Sequence, residues 1–187
     1  MSEVGLVLSS RMSRALVSCL VLCMSACGTS MIPNTSVEDT EENREVINLC
    51  ERYRRAVERR NVRDILALAS SNYYEDSGTP GGDDDYDLAG LRAALLRWRE
   101  SVTAVRYEVR YRRVQHENQR VLVDYTYTAS FRVRIPAILA RPRIAIEGDT
   151  DEGVGVEERP ERWLRRVADN RLELERQGGE WRILSGM

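Results

Sequence analysis

Residues 105–111 read VRYEVRY and residues 121–127 read VLVDYTY. In both stretches large β-branched or aromatic side chains recur at every second position, which is typical of strands that bury one face. The four residues 116–119, with the sequence HENQ, lie between them and form the predicted turn of a hairpin. An antiparallel sheet is therefore predicted as the centre of the fold.

Further strands are predicted on either side of this hairpin. One runs from Trp163 to Glu175 and another from Trp181 to Ser185, joined by a turn at Gln177-Gly178-Gly179, and a short strand is predicted at 71–76. A segment rich in glycine and acidic residues, 136–160, interrupts this pattern as an insertion. It is interpreted as either a partner-binding hairpin or a loop.

Three helices are predicted before the hairpin, because apolar residues there recur every three or four positions. The first spans about Thr40 to Arg60, and Asn61 is the predicted N-cap of a short second helix. Asp87 is the predicted cap of the third. Helices followed by consecutive half-buried strands predict an α+β domain, with N-terminal helices packed on one face of a curved antiparallel sheet.

The composition excludes several classes of function. The 28 basic residues are all arginine, alternate with 30 acidic residues and leave a net charge of -2, so no nucleic-acid-binding face is predicted. His116 is the only histidine, which excludes a His-based zinc cluster or a serine triad. His116 is interpreted as an exposed turn residue, and no metal or cofactor is predicted.

The N-terminus has the order of a secretory signal. Arg11 and Arg14 precede the apolar run 15–24, which is half the roughly twenty residues that a spanning helix needs. The segment 24–27, with the sequence MSAC, resembles the lipobox of bacterial lipoproteins, which implies cleavage after residue 26 and lipidation of Cys27. Gly28 resembles the sorting pattern for the outer membrane, so a lipid-anchored protein that faces the periplasm is expected.

The mature chain is then expected to have two parts. Residues 27–43 are interpreted as the lipidated cysteine and a flexible polar tether, and 44–187 as one folded domain. Cys50 is the only cysteine of this domain, so no internal disulfide can form. Its place on the apolar face of the first helix indicates a core residue.

Several stretches carry a resemblance to the nuclear transport factor 2-like superfamily, which includes ketosteroid isomerase, scytalone dehydratase and polyketide cyclases. They are Arg52-Tyr53 in the first helix, residues 61–68 in the second, Tyr73 to Asp76 in the first strand, and the ending 172–183. The resemblance covers most of the chain from about Glu45. It implies a cone-shaped α+β fold and leaves the activity open, because this fold serves many functions.

Within the superfamily, ketosteroid isomerase offers a chemical parallel. Tyr53, Asp76 and Asp169 fall at places similar to its helix tyrosine, its general base and its second carboxylic acid. The resemblance would make Asp76 the base and the other two residues donors to an enolate oxygen. An acidic loop after Asp76, and Arg171 beside Asp169, favour instead a structural role for these carboxylates.

Aromatic residues offer a second candidate site. A cavity for a flat apolar ligand is expected to be lined by aromatic side chains. The candidates are Tyr53, Tyr74, Trp98, Tyr111, Tyr125 and Tyr127, with Tyr107, Trp163 and Trp181 of similar character. The alternative is that these side chains simply fill the core.

The acidic residues 83–85 and 87 could bind calcium, but their spacing does not match an EF-hand, and a solvated loop is the favoured interpretation. Three hypotheses for function remain. The first is a non-catalytic, lipid-anchored domain that binds a small apolar molecule or a partner protein. The second is an acid–base isomerase or dehydratase, and the third is an accessory domain that forms a homodimer.

Overall fold

A computed structural model describes residues 30–76, 80–82, 84–135 and 160–187. The bounds of its helices and strands follow in chain order. They are α1 (Glu41–Glu58), α2 (Val62–Leu68), β1 (Tyr74–Glu75), β2 (Tyr86–Asp87), α3 (Leu88–Ser101), β3 (Val102–Glu117), β4 (Arg120–Arg134), β5 (Glu161–Gln177) and β6 (Glu180–Ser185).

The helices begin where the sequence predicts, at the predicted caps Asn61 and Asp87 and at Thr40, which also proves to be a cap. Thr40 accepts a hydrogen bond from the backbone N–H of Asn43, and Asn61 accepts one from that of Asp64. The carboxylate of Asp87 accepts from two backbone N–H groups in the first turn of α3. Each cap satisfies donors that a helix end leaves without a partner, an effect of about 1 kcal/mol. The predicted start of each helix is confirmed within one or two residues.

Three long strands and the shorter β6 form the antiparallel sheet in the order β3-β4-β5-β6. Asn118 and Gln119 make the turn between β3 and β4, and Asn118 has a positive φ of 55° there. His116 and Glu117 belong to β3 and pair with Val121 and Arg120, so the turn is shorter than predicted. The turn at Gly178 and Gly179 is confirmed.

The described pairing of β4 with β5 ends next to the predicted insertion in the sequence. Arg134 pairs with Glu161, and the N–H of Ile135 donates to the carbonyl of Pro160 at 2.8 Å. These pairings extend both strands to the two ends of the insertion. Residues 136–159 lie outside the described residues.

The helices pack on one face of the sheet, as predicted. The core includes Val46 and Cys50 from α1, Val123 from β4, and Leu172 and Leu174 from β5, each at most 1% exposed. Truncating one such leucine to alanine costs about 2–5 kcal/mol in proteins. The fold is therefore the α+β class expected from the sequence, with a helical layer on a curved antiparallel sheet.

The stretch interpreted as a flexible tether differs from that expectation. Val37 is 2% exposed and belongs to the core, and the N–H of Ser36 donates to the carbonyl of Tyr111 at 3.1 Å. Asn43 is buried, and its side chain donates to the carbonyl of Glu38. The compact unit begins at Met31 instead of residue 44, because one apolar side chain and a few backbone bonds hold this stretch to the sheet.

The unit from Met31 contains the whole hydrophobic core cluster of the described residues. It is therefore expected to fold without the preceding segment. No helix among the described residues is long and apolar enough to cross a membrane.

Candidate functional site

A cavity of about 370 Å³ lies between the helices and the concave face of the sheet. Its wall combines residues of all three helices, of β3, β4 and β5, and of the C-terminus. They are Tyr53, Val57, Ile65, Leu95, Trp98, Tyr107, Tyr125, Tyr127, Phe131, Arg166, Ala168, Asp169, Asn170 and Met187. Its volume falls in the range of small-molecule sites, about 300–1,000 Å³.

The aromatic part of the wall follows from the strand period. Tyr125 and Tyr127 lie two positions apart on β4 and face the helices together. Tyr107 packs against Tyr127 with ring centroids 5.4 Å apart, and the rings of Tyr125 and Tyr127 are 6.3 Å apart. Tyr53 and Trp98 add rings from α1 and α3. The result is a surface suited to a flat apolar molecule.

Polar groups converge at one end of this wall. The side-chain amide of Asn170 donates to the Tyr125 hydroxyl at 3.0 Å and to the carbonyl of Gly186 at 3.1 Å. Burial raises the pKa of Tyr125 to about 12, although hydrogen bonds to Tyr107 and Asn170 lower it. Burial also raises the pKa of Tyr53, and the nearby Tyr125 adds to this. Both phenols are therefore neutral at physiological pH and can donate to an acceptor atom of a ligand.

The C-terminus contributes Met187 to the cavity wall. The N–H of Gly186 donates to the Glu75 carboxylate at 2.7 Å, and the Tyr73 hydroxyl donates to the same carboxylate at 2.8 Å. Gly186 has a φ of 91°, and a Cβ there would overlap the carbonyl of Arg171. Glycine is thus required for the chain to pass this close to β5 and place Met187 in the cavity wall.

The structure does not bring the three predicted catalytic side chains together. Tyr53 lies in the cavity wall. Asp169 borders the cavity, but its carboxylate accepts from Arg112 at 3.2 Å and from Thr126 at 2.6 Å. Thr126 and Arg112 line a groove on the opposite face of the sheet, so the Asp169 carboxylate is directed there. Asp169 is exposed and pairs with Arg112, whereas the ketosteroid isomerase parallel requires a carboxyl group in an apolar pocket.

Asp76 is exposed at the end of the short strand β1 and is not part of the cavity wall. The alternation along this segment buries Tyr73 at 2% exposure and leaves Tyr74 52% exposed. Glu75 is half-buried and is the carboxylate that bonds Tyr73 and Gly186. The ketosteroid isomerase parallel predicts that Asp76 and Asp169 face the interior. Their neighbours in the sequence, Glu75 and Asn170, face it instead.

Of the six aromatic residues predicted to bind a ligand, Tyr53, Trp98, Tyr125 and Tyr127 line the cavity. Tyr74 lies outside it, and its hydroxyl donates to Asp85 at 2.8 Å. Tyr111 is buried in the core and donates to Glu51 at 3.0 Å. Among the other aromatic residues, Tyr107 also lines the cavity, Trp163 is 50% exposed, and Trp181 is buried under the Arg176 guanidinium.

Sequence reasoning missed the polar members of the wall. Asn170 pairs with Tyr125 and Arg166 pairs with Ala129 across β4 and β5. Both therefore share the concave face with the tyrosines. The pairing register was the signal that could have found them, and it is a long-range property that the local pattern of β5 does not reveal.

The other candidate residues lie outside the cavity or outside the described residues. Among the described residues no group of three or more His, Cys, Asp or Glu side chains is placed to hold a metal ion. Asp83 and the lipidation candidate Cys27 lie outside the described residues. His116 is exposed, as predicted, but it belongs to β3, and its ring contacts the start of α1 through the Asn43 side chain at 2.9 Å. Cys50 is confirmed as a core residue, 1% exposed.

Comparisons with known proteins extend the resemblance of fold. No family model matches the sequence, and no curated protein matches it significantly. A protein from Kribbella flavida of known structure is similar over 79% of this chain and 90% of its own, with 20% identity and a TM-score of 0.54. A proposed dehydratase of the NTF2-like family from Streptomyces avermitilis has 12% identity and a TM-score of 0.53, over 77% and 92% of the two chains.

A ketosteroid isomerase-like protein from Erwinia carotovora has 15% identity and a TM-score of 0.52, over 79% of this chain and 95% of its own. Identities this low support the fold and not a shared activity. The domain therefore has the nuclear transport factor 2-like fold.

Proposed function

We propose that this chain is a lipid-anchored protein of the cell envelope whose folded unit binds a small, flat, largely apolar molecule without transforming it. The observation that supports binding is the cavity, in which the rings of Tyr107, Tyr125, Tyr127 and Trp98 surround a few convergent donors. Apolar walls with a small number of placed polar groups are typical of ligand sites. The alternative is that the same cavity wall binds a partner protein.

The intrinsic fluorescence of Trp98 provides a test. Three tryptophans are present, of which Trp98 lines the cavity and Trp163 is exposed on β5. Flat apolar compounds added to residues 28–187 should change the emission spectrum. The change should be lost in Trp98→Phe and kept in the matched control Trp163→Phe. The reverse result would place binding outside the cavity and contradict the proposal.

The anchor rests on the sequence alone, from Arg11 and Arg14 through the apolar run to Cys27. Several acyl chains would hold the protein on a membrane, since each buried methylene contributes about 0.8 kcal/mol. The full-length chain should fractionate with membranes and carry the mass of a lipid, whereas Cys27→Ala should not. Cys23→Ala, in the apolar run, is the control and should behave like the unmodified chain. An unlipidated wild-type protein would contradict this part of the proposal.

A second candidate function is an acid–base isomerase or dehydratase that uses Asp76 with Tyr53 and Asp169. It is supported by Tyr53 in the cavity wall, and by the names of the two structural relatives described as a dehydratase and as isomerase-like. Asp76 lies outside the cavity wall, and Asp169 borders it with its carboxylate paired to Arg112, which favours binding over catalysis. Asp76→Asn should abolish turnover of any substrate if this candidate is right, and unchanged turnover would refute it.

A third candidate is an accessory domain that forms a homodimer through its sheet. Trp163 and Val167 are 50% and 58% exposed, and pairing with β6 leaves the part of β5 before Glu173 without a strand on that side among the described residues. An exposed strand edge with large apolar side chains is a site for association. A strictly monomeric mass at high concentration would contradict this candidate.

A further inference from the structure

The charge at the cavity narrows the class of ligand. Arg166 and Asp169 are the charged residues that border the cavity. The Asp169 carboxylate is paired with Arg112 on the other face of the sheet, so its charge is offset there. The Glu75 carboxylate faces the interior but does not line the wall, and it is bonded to Tyr73 and to the N–H of Gly186. Of the charged residues in the wall, Arg166 is therefore the one whose charge is not offset by an ion pair among the described residues.

Arg166 is placed by the same register that places Asn170. It pairs with Ala129 on β4 and lies four residues before Asn170, on the concave face and nearer the exposed end of β5. The residue is exposed, so its guanidinium lies at the mouth of the cavity while the phenols of Tyr53 and Tyr125 lie deeper and are buried. Donors thus occupy both ends of an apolar wall.

Arg166 also differs from several arginines near it on the sheet. Arg112 pairs with Asp169, Arg132 with Glu161 and Arg171 with Asp124. Within the described part of the chain, Arg166 makes no ion pair with a carboxylate. A planar guanidinium without an acidic partner, at the edge of an apolar cavity, is a ready site for a carboxylate or sulfonate.

We infer that the ligand is an aromatic or polycyclic anion, whose flat body lies against the tyrosines and whose carboxylate or sulfonate pairs with Arg166 at the mouth. This inference rests on the proposed binding function and adds the charge of the ligand. A neutral flat compound would use the same wall and lose only the contact at the mouth.

Two fluorescent probes distinguish the contribution of the ligand's ring system to binding from the contribution of its negative charge. One is 1-anilinonaphthalene-8-sulfonate, an anion, and the other is N-phenyl-1-naphthylamine, which has the same ring system without the sulfonate. Both are titrated into residues 28–187, which contain the compact unit and its core. Circular dichroism first establishes that each variant is folded, because the sulfonate probe also binds partly folded states.

Arg166→Gln should weaken the sulfonate probe about three- to five-fold, as expected for a solvent-exposed ion pair. The same substitution should leave the neutral probe unchanged. Arg165→Gln is the matched control, since Arg165 is also exposed but lines a groove with Trp163 on the other face, and it should leave both probes unchanged. Added salt should weaken the sulfonate probe alone, because salt screens exposed charges.

The outcomes distinguish the inference from the function on which it rests. If the neutral probe binds and Arg166→Gln affects neither probe, the anion is refuted while the cavity remains a binding site. An equal loss in Arg165→Gln would also refute it, since general surface charge would then explain the effect. If neither probe binds to the folded wild-type unit, both the inference and the proposed function fail.

Discussion

Ala168 offers a test of whether the cavity is open, because its substitution by phenylalanine has opposite effects in an open and in a packed site. Ala168 lies in the cavity wall on β5, opposite Tyr127, and is half-buried. Full burial of a phenylalanine side chain stabilises by about 1.5–3 kcal/mol. Partial burial of the new ring in the cavity of about 370 Å³ should raise the free energy of unfolding by about 1 kcal/mol.

A packed site would give the reverse, because extra atoms in a filled core cost about 1–3 kcal/mol. Ala129 is the matched control, since it faces the same side from β4 but is 0% exposed and is not part of the cavity wall. Ala129→Phe should therefore destabilise the protein. Urea unfolding of residues 28–187 measures both differences, and a melting temperature should shift by about 2–4 °C per kcal/mol for a domain of this size.

The same substitution should reduce binding of the neutral naphthylamine probe, because the new ring occupies the space that the probe needs. A destabilised Ala168→Phe, as costly as Ala129→Phe, would refute the open cavity. Unchanged probe binding in a stable Ala168→Phe would show that the probe occupies another surface. Either result would contradict the account of the site.

Three further predictions concern stability and reactivity. A hydrogen bond from Arg171 lowers the pKa of Asp124, and Arg113 adds to this while burial opposes it, so this carboxylate stabilises the fold above its unfolded pKa near 4 and the effect declines as the pH falls through the lower folded pKa. Asp124→Asn should cost about 1 kcal/mol at pH 7 in urea unfolding, and a difference that does not shrink as the pH is lowered from 4 would contradict this. Burial raises the pKa of Cys50 to about 12, so iodoacetamide at pH 8 should label this thiol in residues 28–187 only when urea unfolds the protein. Rapid labelling of the folded protein would contradict a buried thiol. Gly186→Ala should destabilise the fold by about 1–3 kcal/mol, and by more than the control Gly178→Ala. Both glycines have a positive φ, but only at position 186 would the added Cβ meet the Arg171 carbonyl, and equal costs in thermal unfolding would contradict this.

The local parts of the fold could be predicted from the sequence. The caps Asn61 and Asp87 were predictable because capping depends on a few neighbouring residues. Tyr125 and Tyr127 face the cavity because the strand period fixes which residues share a face. Such features need no knowledge of distant parts of the chain.

The candidate site could be predicted only in part, because it depends on register. A shift of one residue in register exchanges the two faces of a strand. Asn170 and Glu75 therefore face the interior, whereas the predicted residues next to them, Asp169 and Asp76, do not. The burial of Val37 could not be predicted either, because the contacts that hold this stretch are also long-range. The backbone hydrogen bond beside Val37 joins Ser36 to Tyr111, which is far away in the sequence.

Native mass spectrometry of residues 28–187, expressed without the signal and compared with the denatured mass, tests the central claim most directly. The account predicts an excess mass of one small molecule under native conditions that is lost on denaturation, and that is absent from Ala168→Phe. Such a mass would also give the size of the ligand for comparison with the cavity of about 370 Å³. Identical native and denatured masses, from protein that also fails to take up either naphthalene probe, would contradict a ligand-binding cavity.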